Sequence, residues 1–159
     1  MTERKRDRDG DSRLGEKARR ELIGAALAAR RFSYSPYSGY QVGAALLTES
    51  GRIFTGCNVE NAAFGPTVCA ERTAVFKAVS EGETKFAALA VTGSPRGKMT
   101  QFSWPCGVCR QVLAEFCDPE RMEILVAKSE EDYESRSLGA LLPEGFGPGN
   151  LAGFKEKEH

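Results

Sequence analysis

The chain has 159 residues, 41% of them apolar, and sets 22 basic residues against 22 acidic ones. That length suits one globular domain with a single core, and the charge balance lacks the positive excess of a nucleic-acid binder. No window approaches the ~20 uninterrupted apolar residues of a membrane span, and no apolar stretch follows the charged start. The expectation is therefore a cytoplasmic protein with neither a membrane nor a nucleic-acid partner.

Residues 1–15 are almost all charged or small and cannot bury enough apolar surface to offset their ordering entropy, so a disordered tail is expected there. Residues 151–159 read as a flexible C-terminal tail, which leaves 16–150 as the folded domain. From Glu16 to Arg31, Leu22, Ile23, Ala26 and Leu27 recur at helical spacing and predict a first helix. It ends at the turn-rich run Ser33-Tyr34-Ser35-Pro36-Tyr37-Ser38-Gly39, which is too aromatic for a plain linker. Gln41 to Thr48 and Arg52 to Asn58 read as a β-hairpin closed by Glu49-Ser50-Gly51. A second helix is expected from Cys69 to Ser80, capped by Thr67 or a neighbour, with Gly82 placed to end it in a left-handed conformation. Phe86 to Thr92 is nearly all apolar, as in a strand covered on both faces. Cys106 to Phe116 follows as a third helix, then Met122 to Ala127 as a strand. A weaker strand near Tyr133 to Leu138 and a turn of helix around Leu141 complete the chain. Helix, hairpin, helix, strand, helix, strand is an α/β order that points to a mixed sheet sandwiched between helices.

Five cysteines in a chain without an export signal should stay reduced, so they read as metal ligands or small apolar residues. Cys106-Gly107-Val108-Cys109 has the spacing that lets two sulfurs reach one metal from a loop-to-helix turn, and Cys69 can supply a third. The sole histidine, His159, is the last residue, so a metal site here must be built from thiolates. Cys57 and Cys117 remain as candidates for a fourth ligand and otherwise read as small core residues. Three thiolates leave one corner of a tetrahedral zinc open, as in catalytic rather than structural sites. Helix N-termini favour the thiolate form. The resulting net charge of about −1 calls for a nearby cation, for which Arg72 and Arg110 are placed. Glu71, two residues beyond Cys69, can lean over the open corner and move protons to and from a zinc-bound water. Cys-x-Glu followed by Pro-Cys-x-x-Cys is the zinc-deaminase signature, with Cys in place of its His.

Further motifs are Tyr37-Ser38-Gly39-Tyr40-Gln41-Val42-Gly43-Ala44-Ala45-Leu46, Gly56-Cys57-Asn58-Val59-Glu60-Asn61-Ala62, Cys69-Ala70-Glu71-Arg72, Pro105-Cys106-Gly107-Val108-Cys109-Arg110-Gln111 and Leu141-Leu142-Pro143-x-x-Phe146. On these, the chain resembles the small cytidine deaminases from roughly Glu21 to Phe146. The resemblance implies a three-layer αβα sandwich with a mixed five-stranded sheet and a homotetramer with active sites at subunit interfaces. It also implies one zinc per subunit and hydrolysis of cytidine or 2′-deoxycytidine to the uridine product and ammonia. By that likeness Asn58 and Glu60 bond the ribose hydroxyls, Glu71 also binds N3 of the base, and the Ala70 N–H meets the pyrimidine carbonyl. Tyr40 packs on the base, while Phe64 and Phe146 cover the site from neighbouring subunits. A carboxylate such as Glu60 accepts from a sugar hydroxyl and repels a phosphate, which favours a nucleoside over a nucleotide. The chain departs from the family where it has Tyr40 for a common Phe, Phe64 for a common Tyr, and a bulky Trp104 before Pro105. Two alternatives stay open on the residues alone: a deaminase of another aminopyrimidine, such as a blasticidin-type nucleoside, and a non-enzymatic zinc-binding module.

Overall fold

The computed structural model of the protein describes residues 14–151, so the two expected tails fall outside it except at Leu14, Gly15 and Leu151. Leu14 is buried against the first helix rather than loose in a tail. The elements are α1 (Glu16–Arg30), β1 (Tyr40–Thr48), β2 (Ile53–Cys57), α2 (Ala70–Ser80), β3 (Phe86–Pro95), α3 (Gly107–Ala114), β4 (Glu123–Ala127), β5 (Tyr133–Ser137) and α4 (Leu138–Leu141). A 3-10 turn over Pro148–Leu151 ends the described chain. Among the described residues no helix is long and apolar enough to cross a membrane.

The five strands form one sheet in the order β2-β1-β3-β4-β5. Only β3 and β4 run parallel, because α3 carries the chain back between them; the other pairs are antiparallel. Side chains alternate across a strand, so each strand feeds two cores. Ala44, Leu46, Leu89, Val91, Ile124 and Val126 face α2, α3 and α4, whereas Ala45, Ala88, Ala90, Leu125 and Ala127 face α1. Helices on both faces of a mixed sheet make the αβα sandwich.

Two glycines set how closely the helices approach. A Cβ on Gly43 would collide with the Ala26 carbonyl of α1, and one on Gly56 with the Ala70 carbonyl of α2. Boundaries shift where neighbours decide them. β3 runs on from Thr92 to Pro95 because Tyr40 and Gln41 at the start of β1 pair with Pro95 and Ser94. The second helix is capped by Cys69 and not by Thr67, whose hydroxyl instead accepts from the Asn61 N–H at 3.1 Å. Gly51 and Gly82 adopt the positive φ that their turns require, 90° and 87°.

Candidate active site

α2 and α3 start side by side, and each has a cysteine at its N-cap, Cys69 and Cys106. Cys109, one turn into α3, is fully buried. The Sγ atoms of Cys69 and Cys106 lie 3.8 Å apart and those of Cys106 and Cys109 3.6 Å apart, and all three lie within 4.8 Å of one another. A tetrahedral zinc with sulfurs at about 2.3 Å needs S···S edges of about 3.8 Å, close to the two edges that Cys106 makes, so the trio suits that ion. Both helix N-termini point positive ends at this cluster. Cys57 and Cys117 do not join it: their thiols donate to the carbonyls of Phe32 and Leu113. Cys117 packs against the main core and burial pushes its thiol up to about 12, while Cys57 is only half-buried.

The charge of the cluster is shared before it is offset. A hydrogen bond from the Cys109 thiol, and then the Arg72 guanidinium, hold Cys69 below the ordinary thiol range. The same bond, with burial, pushes Cys109 upward. Arg72 Nη2 reaches Cys69 Sγ at 3.5 Å. Arg110, the other cation suggested by the sequence, donates to the carbonyls of Pro105 and Leu141, both at 2.7 Å. It therefore braces the entry to α3 against α4 and touches no sulfur.

Glu71 sits in the first turn of α2, only 4% exposed, and lines a cleft of about 860 Å³ together with Cys69 and Cys106. Burial pushes its carboxyl up to about 7. Ala70, fully buried beside it, has an N–H in the first turn, where helices leave donors without intrahelical partners.

Tyr40, Asn58, Glu60 and Phe64 line the same cleft. Asn58 is heavily engaged within the protein: Oδ1 accepts from the Val42 N–H at 2.9 Å and from the Ser33 hydroxyl, and Nδ2 donates to the Tyr40 carbonyl at 2.8 Å. One Nδ2 hydrogen is left for a ligand. Glu60 is gripped by the Tyr37 and Ser38 N–H groups, both at 3.2 Å, and by the Ser38 hydroxyl. Phe64 adopts a left-handed φ of 53°, is 71% exposed, and meets Tyr37 edge-on with ring centroids 6.0 Å apart. It thus borders the cleft of its own chain. Phe146 is not in that cleft; it is 59% exposed, and its carbonyl accepts from Gln111. Trp104 lines the cleft with the Arg136 guanidinium 5.5 Å from its ring centroid.

Sequence reasoning passed over Ser33, Ser38, Gln101, Phe102 and Ser103. The serine-rich loop before β1 was a visible signal for the first two. The other three lie in an irregular stretch whose pattern carries no period.

The family described as the cytidine and deoxycytidylate deaminase zinc-binding region matches residues 16–126, from α1 through most of β4. A cytidine deaminase of Sporosarcina psychrophila is 46% identical over 132 residues, covering 83% of this chain and 93% of the relative. One from Halalkalibacterium halodurans is 44% identical over 128 residues, covering 80% and 93%. The crystal structure of a cytidine deaminase from Burkholderia pseudomallei superposes with a TM-score of 0.71 at 47% identity, covering 79% of this chain and 97% of that one. With the matched region carrying all three clustered cysteines, the chain belongs to the zinc-dependent cytidine and deoxycytidylate deaminases, and its cofactor is zinc.

Proposed function

We propose that this protein hydrolyses cytidine and 2′-deoxycytidine to uridine and 2′-deoxyuridine with release of ammonia, as a cytoplasmic step of pyrimidine salvage. The observation that carries the reading is the buried Glu71 carboxyl facing the cleft directly beside Cys69 and Cys106. Zinc, held by Cys69, Cys106 and Cys109, supplies a Lewis acid that makes a water acidic near neutral pH. Burial raises the Glu71 carboxyl above the ordinary carboxylate range, which suits it to hold and return a proton. Glu71 takes a proton from the attacking water, delivers it to N3 of the pyrimidine, and passes the second to the amino group leaving C4. The Ala70 N–H holds the base carbonyl and the Tyr40 ring packs on the base. Glu60 and the free Nδ2 hydrogen of Asn58 meet the ribose hydroxyls, while Arg72 offsets the thiolate charge and Arg110 braces α3. The folded unit is residues 16–150, assembled as a homotetramer in which Phe64 and Phe146 also border neighbouring clefts.

Release of ammonia from cytidine, deoxycytidine, dCMP, cytosine and blasticidin S, with zinc measured on the same sample, tests the reading. The two nucleosides should be turned over best, and Glu71→Gln should lose at least ~10²-fold in kcat while keeping its zinc. Near-normal activity of Glu71→Gln would remove the proton shuttle, and preference for blasticidin S would redirect the substrate.

A further inference from the structure

Between Pro95 at the end of β3 and Gly107 at the start of α3, the chain passes along the cleft wall, bringing Gln101, Phe102, Ser103 and Trp104 into its lining. Among the described residues, positions 99–104 make no backbone–backbone hydrogen bond. Such a segment holds its place only through side chains. Met99 Sδ accepts from the Ser94 hydroxyl at 3.2 Å, and Lys128 Nζ stands 4.5 Å over the Phe102 ring. The Arg136 guanidinium stands 5.5 Å from the Trp104 ring centroid, and the remaining hydrogen bonds form one chain through the Tyr40 hydroxyl.

Gln101 Nε2 donates to Tyr40 Oη at 2.6 Å, Tyr40 Oη is bonded to Ser103 Oγ, and the Ser103 hydroxyl donates to the Gly93 carbonyl at 2.7 Å. Each hydroxyl owns a single proton. Ser103 places its proton on Gly93, so Tyr40 must donate to Ser103, and Gln101 donates to Tyr40. The three bonds run in one direction and polarise one another. They join the first residue of β1, the last turns of β3 and the segment that leads into Cys106.

We infer that Tyr40 is a positioning residue whose hydroxyl latches segment 99–104 to the cleft wall. The latch fixes the orientation of the Tyr40 ring and holds Phe102 and Trp104 in the shape that receives a planar base. With the latch intact the wall is preformed. Without it the ligand must order the wall on binding, a cost that falls on KM more than on kcat. This inference uses the deaminase reading only to choose a substrate.

The test takes Tyr40→Phe, which removes the hydroxyl and keeps the ring, Ser103→Ala, and the double variant, all zinc-loaded. KM and kcat for cytidine are measured, along with the rate of tryptic cleavage after Lys98, an exposed residue beside the segment. Each single variant should raise KM about two- to tenfold with a smaller change in kcat. Cleavage after Lys98 should accelerate. Each single variant keeps one anchoring bond, Ser103 to Gly93 or Gln101 to Tyr40, and both lose the Tyr40–Ser103 bond, so the double variant should lose less than the sum of the two single losses. Unchanged KM in Tyr40→Phe, or additive losses in the double variant, would overturn the inference. Should the wild-type chain fail to turn over cytidine, the proposed function falls, while the cleavage ratio between wild type and Tyr40→Phe still decides the latch.

Discussion

The proposed ribose contact of Glu60 rests on how its carboxylate is held. Tyr37 N–H, Ser38 N–H and the Ser38 hydroxyl already bind its carboxylate. A carboxylate offers about four acceptor positions, so one remains for a sugar hydroxyl. The Ser38 oxygen also accepts from the Tyr40 N–H at 3.0 Å, which leaves its proton for Glu60. Glu60→Ala should raise KM for cytidine about ten- to a hundredfold, the worth of a hydrogen bond to a charged group. Ser38→Ala removes one of the three donors and leaves the carboxylate, so its rise in KM should be smaller, about two- to tenfold. Equal KM in wild type and Glu60→Ala, read in steady-state kinetics, would remove the ribose contact. Asn58 makes the complementary point. Its amide mainly ties the Ser33 loop to β1, so loss of Asn58 would disturb the cleft wall as well as any sugar contact.

At the scale of elements, the site depends on the start of α2 lying directly on β2. Gly56 permits this, because any Cβ there would run into the Ala70 carbonyl and lie 2.6 Å from the Ala74 nitrogen. Gly56→Ala should push α2 away, costing about 1–3 kcal/mol in denaturant unfolding and lowering zinc content, since Cys69 moves with the helix. Gly43→Ala crowds α1 on the opposite face. It should cost similar stability yet leave zinc per folded chain unchanged. Equal zinc content in both variants would show that the seat of α2 does not govern the metal site. The two cysteine-capped helices also explain how this chain can gather three sulfurs: the helix dipoles and the Arg72 guanidinium, 3.5 Å from Cys69 Sγ, favour negative charge there.

For the whole molecule, the sheet buries both faces but leaves Phe32, Phe64 and Phe146 at 75%, 71% and 59% exposure. The proposed homotetramer is the arrangement that would cover such rings. Sedimentation of the zinc-loaded protein should give the mass of four chains, and a monomer at micromolar concentration would remove the proposed tetramer. Much of this protein was legible in its residue order. The apolar run of β3, the helical spacing of α1, and the motifs Cys69-x-Glu71 and Cys106-x-x-Cys109 are local patterns, each set within a few residues. Local sterics and hydrogen bonding dictate such patterns wherever they occur. Tertiary structure alone decided that Arg72 meets the sulfur while Arg110 meets carbonyls, that β3 extends to Pro95, and that Gln101 and Ser103 close on Tyr40. Each of these joins side chains or strands to groups that the fold, and not the neighbouring sequence, brings within bonding distance, so no short-range pattern could encode it.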